Sequence, residues 1–150
     1  MTINGIPVHP LVVHGAVVFA PLAGLLSLAY LVPKWRDHLR WPVLAVSVAA
    51  ALFVWLAAAT GDSLASTVLS GNSNMAVVNA IHHHEDLAGK LQVSTWLLAA
   101  VSAGVWWFHK RPGRAHQVMT VVLPLAGIAA IVLCVLTGDA GAKAVWAAGS

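Results

Sequence analysis

Four stretches of this chain are long and apolar enough to cross a membrane, which settles the fold class before any motif is considered. A helix needs about 20 predominantly apolar residues to span the hydrocarbon core of a bilayer. Such stretches cover residues 10–32, 42–60, 88–109 and 118–137. Across the 150 residues, 59% are hydrophobic and only 9% charged, against roughly 25% charged in a soluble domain. A chain this apolar is not disordered, since disordered segments are poor in apolar residues. The single cysteine, Cys134, excludes an intrachain disulfide scaffold. Eight Lys and Arg are too few and too scattered for a nucleic-acid surface. The expected fold is all-α: one transmembrane domain, residues 1–150, an integral membrane four-helix bundle built as two parallel helical hairpins. Ala, Gly and Ser are frequent in the first two spans, and small residues let helices approach closely in lipid.

The loops set the expected orientation. Lys34, Arg36 and Arg40 lie between the first two spans, and Lys110, Arg111 and Arg114 between the last two. Only Lys90 and Lys143 lie at the other end, with Asp62, Glu85, Asp86 and Asp139. By the positive-inside rule the two short basic loops are cytoplasmic, and both termini and the segment 61–90 face outward. Trp35, Trp41, Trp106 and Trp107 suit the cytoplasmic interface, and Trp55 and Trp96 the outer one. The first span is too long for a signal-peptide core and has no basic flank before it, so it is expected to stay in the mature protein.

The chain also repeats itself. The second span ends in Thr60-Gly61-Asp62 and the fourth in Thr137-Gly138-Asp139, while the first and third both open with histidines. Each hairpin would then carry His at its outer entrance and Thr-Gly-Asp at its outer exit. Gly followed by a solvated Asp reads equally as a helix stop.

Eight histidines are many for so apolar a chain. His38, His109 and His116 sit among basic residues and read as interfacial side chains. His9, His14, His82, His83 and His84 gather at the outer end with Glu85 and Asp86. His14 lies inside the first span, where an ionisable group marks a functional site by default. His82, His83 and His84 point in three directions on a helix, so at most two serve one site. His82 and Asp86 share a face at i, i+4. Neutral imidazole is a ligand for transition metals and for haem iron. Two ligand sets follow: His14 with His83 or His84 for a haem, and His9, His14, His82, His84, Glu85 and Asp86 as the pool for a metal ion. Counted from the cytoplasmic ends, His9 lies 24 residues from Pro33 and His84 26 from Lys110. At about 1.5 Å per residue they match each other better than His14 matches His84. That count favours a metal ion on His9, His84 and a carboxylate over a bis-His haem. The same count levels Lys90 with Asp62 and Asp139, as a structural ion pair. No nucleophile elbow and no phosphate loop is present, which speaks against an enzyme, and Cys134 reads as packing.

The start of the chain, with His9, Pro10, Leu11, Val13 and His14 as a His-Pro-Leu-x-Val-His type motif, resembles the bacterial membrane family called domain of unknown function 2231, its actinobacterial branch most of all. Thr60-Gly61-Asp62, the segment His82 to Leu91 and the tail Gly138 to Trp146 fit the same resemblance, which spans nearly the whole chain. It implies a small four-span protein of the bacterial plasma membrane. Fusions of relatives to Rieske-type iron–sulfur domains imply a link to electron transfer, with buried His as haem ligands. Relatives carry His where this chain has Asp139, so no ligand role transfers to that position.

Three functions compete at this point. One is a redox- or metal-associated membrane protein holding haem b or a transition-metal ion near its outer face. Another is a non-catalytic accessory subunit without a cofactor, packed in the bilayer on a respiratory or other membrane complex or on further copies of itself. The last, a proton or solute transporter, ranks lowest because the sequence shows no polar path to the cytoplasm.

Overall fold

The computed structural model describes residues 2–3, 6–71, 74–111 and 113–149. A two-stranded ribbon, β1 (Thr2–Ile3) and β2 (Ile6–Pro7), pairs Thr2 with Pro7 and Ile3 with Ile6. Four helices follow: α1 (Val8–Ala29), α2 (Arg36–Ser70), α3 (Met75–Phe108) and α4 (Arg114–Gly149). A single 3-10 turn, Pro33–Trp35, joins α1 to α2. All four helices are long and apolar enough to cross a membrane. Their main packing contacts run α1–α2, α2–α3, α3–α4 and α4–α1. The bundle is therefore a ring in which α1 faces α3 diagonally and α2 faces α4.

Small residues set the closeness of this ring. Ala16, Ala20, Ala23, Ala50, Ala57 and Ala130 fill its axis, with Leu98, Leu123 and Val105. Where α1 crosses α4, Gly24 and Gly127 meet so closely that a β-carbon on Gly127 would lie 1.8 Å from Ser27 Oγ. On the α1–α2 seam, Phe19 and Phe53 stack at 5.2 Å over Gly15. Buried hydroxyls are satisfied: Ser102 Oγ donates to the Leu98 carbonyl at 2.7 Å and pairs with Ser47 Oγ at 3.1 Å. The lipid-facing sides of α1 and α4 show Val18, Leu25, Val121, Leu125 and Val135, all exposed. That is the inverse of a soluble bundle.

The helices do not stop where the sequence suggests. Gly61 lies inside α2, and Gly138 and Asp139 inside α4, so neither Thr-Gly-Asp is a helix stop. The segment 61–90 is not a loop: residues 61–70 continue α2 and residues 75–90 belong to α3. Hydroxyls back-bonded to the preceding turn carry α2 onward: Ser63 to the Thr60 carbonyl, Thr67 to Ser63 and Ser70 to Thr67, at 2.9–3.0 Å. Gly costs about 1 kcal/mol against Ala in a helix interior; at Gly61 the His9 ring of α1 packs where a side chain would stand, whereas Gly138 has nothing within 4 Å of that place. Asn74 then caps α3, its side chain accepting from the Ala76 amide at 2.9 Å. At 34–36 residues and about 1.5 Å rise, α2, α3 and α4 exceed the ~30 Å hydrocarbon core. Their surplus at the Asp62–Asp139 end encloses a cavity.

Candidate functional site: a two-histidine cavity

The cavity holds about 580 Å³ and is walled by all four helices. His9 and Val13 come from α1, Ala57 to Val68 from α2, Ile81 to Gln92 from α3, and Cys134 to Val145 from α4. Alanines and glycines make up much of the wall, with Leu64, Ile81 and Leu91 among the larger side chains.

Two imidazoles on diagonally opposed helices enter it. His9 Nδ1 lies 2.9 Å from the Ala57 carbonyl on α2. His84 Nδ1 lies 3.0 Å from the Thr137 carbonyl on α4. A carbonyl oxygen only accepts, so in both rings Nδ1 carries a proton, and in the neutral ring Nε2 is the nitrogen with the lone pair. Thr60 Oγ1 stands 3.4 Å from His9 Nδ1 while donating into its own helix. Each ring also rests on a glycine of the neighbouring helix. A β-carbon would lie 3.1 Å from His9 Cε1 if built on Gly61, and 3.0 Å from His84 Cε1 if built on Gly141. The internal repeat is thus visible as geometry. In each hairpin a histidine of the first helix bonds a carbonyl near the Thr-Gly-Asp of the second. The second hairpin makes this contact one helical turn further along.

The remaining sequence candidates divide. His14 borders the cavity, but its Nδ1–H turns back to the Pro10 carbonyl of its own helix at 2.6 Å, on an exposed side chain. Glu85 and Asp62 stand at the cavity wall. Glu85 accepts from the exposed His82 at 3.1 Å. His83 is exposed and lies outside the cavity lining. Asp86 is taken by Lys90 at 2.6 Å, four residues on along the same helix. That pair corrects the expected link from Lys90 to Asp62 or Asp139: Asp139 pairs with Lys143 at 2.6 Å. In both, a carboxylate one helical turn away is reached without bending or desolvating anything, and both lysines stay exposed. Among the described residues, no three of His, Cys, Asp and Glu converge as a metal-ligand set.

Sequence reasoning missed a second polar cluster at the basic end. His109, expected as an interfacial side chain, is largely buried. Its Nε2 lies 2.6 Å from Asp37 Oδ1 and its Nδ1 2.7 Å from the hydroxyl of Tyr30. The carboxylate takes the Nε2 proton, so Nδ1 accepts from the phenol. Tyr30 is fully buried and Asp37 is exposed, so the three groups tie the ends of α1, α2 and α3 together. The imidazole bonded to Asp37, which lies before the apolar stretch of α2, holds its carboxyl below the usual carboxylate range. The signal available in the sequence was slight: Tyr30 is the one tyrosine, and Asp37 the one acid between the basic residues.

No curated protein and no solved structure matches the chain. The family model described as predicted membrane protein (DUF2231) matches residues 5–150. With that match over nearly its whole length and four helices able to cross a bilayer, the chain belongs to the DUF2231 family of predicted membrane proteins.

Proposed function

We propose that this protein is a small redox-associated haem protein of the bacterial plasma membrane, with haem b in the cavity, where His9 and His84 would hold its iron. One observation carries this reading. Two histidines on opposed helices of one apolar cavity each donate Nδ1–H to a backbone carbonyl, so that in the neutral ring Nε2 is the ligating nitrogen. That second bond is what fixes tautomer and ring orientation in ligating histidines. Haem suits the donor set better than a bare ion, since the tetrapyrrole brings four nitrogens and asks two ligands of the protein. A structural ion would need a fuller set, which the described residues do not assemble. No Lys or Arg lines the cavity, so haem carboxylates would be left to water at its mouth. When bound, the haem would supply one-electron transfer. The backbone carbonyls of Ala57 and Thr137 hold the two rings in place, and the cavity wall around them is mostly apolar. The basic loops are read as cytoplasmic, which puts both termini and the cavity on the outer side.

The test is purification from cells supplied with haem precursor, followed by haem quantification. The expected result is one haem per chain, lost in His9→Ala and in His84→Ala and retained in His83→Ala. A parent protein that carries no haem and takes up none on titration in detergent would overturn the reading. The accessory-subunit alternative would then stand.

A further inference from the structure

The two ends of the bundle treat their cations differently. At the cavity end both lysines are neutralised, Lys90 by Asp86 and Lys143 by Asp139. At the opposite end six cations share one carboxylate, Asp37, which His109 occupies at 2.6 Å. Arg36 spends its guanidinium on the Tyr30 and Leu31 carbonyls, and Arg111 lies 4.7 Å over the Trp107 ring. Among the described residues, Lys34, Arg40, Lys110 and Arg114 pair with no carboxylate. The positive-inside rule accounts for the charge bias, but not for two further features. Arg40 Nε and His116 Nδ1 are buried without a hydrogen-bond partner. They flank the Tyr30–His109–Asp37 cluster: Arg40 lies one turn along α2 from Asp37, and the His116 ring lies 6.2 Å from that of His109. Around them Trp35, Trp41 and Trp107 are about half exposed, as suits side chains at headgroup level. The first turn of α2 opens here with no side-chain cap, so its amides add positive potential.

We infer that this end of the bundle is a binding site for the phosphate of an anionic phospholipid, with Arg40, beside His116, as its inner cation and Lys34, Lys110 and Arg114 as its rim. Orphaned buried nitrogens, unpaired cations and a tryptophan belt converge at the depth where such headgroups lie. Basic pockets between transmembrane helices recognise anionic headgroups in this way. The inference is independent of what the cavity at the other end holds.

Native mass spectrometry of the full chain in nonionic detergent tests it, with phosphatidylglycerol, phosphatidylcholine of the same acyl chains and inorganic phosphate as separate additions. Phosphatidylglycerol should bind in preference to phosphatidylcholine. Removing one cation by Arg40→Gln should weaken it about fivefold, whereas Lys90→Gln at the far end should leave it unchanged. If Arg40→Gln fails to fold, Arg114→Gln, at an exposed position, should show the same loss. Equal binding of the two lipids, or an unaltered preference in the folded variants, overturns the site. Displacement of the lipid by inorganic phosphate at equal concentration overturns its assignment to a lipid.

Discussion

The α1–α4 crossing is the closest helix contact at a glycine among the described residues, and Gly127→Ala probes it directly. The added β-carbon would lie 1.8 Å from Ser27 Oγ and 3.0 Å from both Ser27 Cβ and the Gly24 carbonyl oxygen. Ser27 is fully buried, and its hydroxyl already donates to that carbonyl at 2.6 Å. The helices must part, or Ser27 must abandon its hydrogen bond. Overpacking of a tight core costs about 1–3 kcal/mol, and a lost hydrogen bond about 0.5–1.5 kcal/mol. As these are alternative responses, the expected destabilisation is about 1–3 kcal/mol. The assay is unfolding of the detergent-solubilised protein by a denaturing detergent, followed by tryptophan fluorescence. Ser27→Gly removes both the hydroxyl and the β-carbon it hangs on. Combined with Gly127→Ala it should therefore recover much of the loss, a coupling of about 1–3 kcal/mol. A Gly127→Ala protein within about 0.5 kcal/mol of the parent, the range of an ordinary surface change, would refute the close crossing. So would a double variant that shows no recovery.

Three further outcomes follow from particular contacts. Gly141→Ala, whose β-carbon would press His84 Cε1 at 3.0 Å, should weaken haem binding about tenfold, as disturbed outer-shell partners do; Gly71→Ala, with nothing within 4 Å, should leave the titration unchanged. The depressed Asp37 carboxyl stabilises the fold at pH values above its unfolded pKa of about 3.9, and this contribution is lost as pH falls through the lower folded value. Thermal unfolding in detergent should therefore separate the parent from Asp37→Asn at pH 6 and bring the two together at pH 2. Finally, an impermeant thiol reagent added outside intact cells should label a cysteine at Gly71 and not one at Gly113; the reverse pattern would invert the proposed orientation.

The fold was legible because it rests on composition: stretches this apolar have few alternatives to crossing a bilayer as helices. The helix ends were not, because Gly61 and Gly138 carry a local stop signal, whereas the His9 ring packed on Gly61 and the His84 bond to the Thr137 carbonyl come from neighbouring helices that no local pattern shows. The match of His9 with His84 was visible from counting residues, since helical rise is nearly constant. Their partners were not, because the Ala57 and Thr137 carbonyls are backbone groups that no side-chain pattern advertises. Level alone misled for Lys90. Residues at one height can face different ways, and Asp86 one turn away took the lysine first. His109 was hidden for the opposite reason. Its neighbours in sequence are basic interface residues, and Tyr30 and Asp37, from other helices, make it a buried, twice-bonded group.

Ligation by both His9 and His84 is the central claim, and the electron paramagnetic resonance spectrum of the ferric protein addresses it most directly. Two axial imidazoles make ferric haem low-spin, so the parent should give a low-spin signal only. His9→Ala and His84→Ala should each abolish that signal, either by losing haem or by leaving it high-spin with one ligand. A low-spin signal that persists unchanged in either variant would show that another group ligates the iron, and the two-histidine account would be wrong.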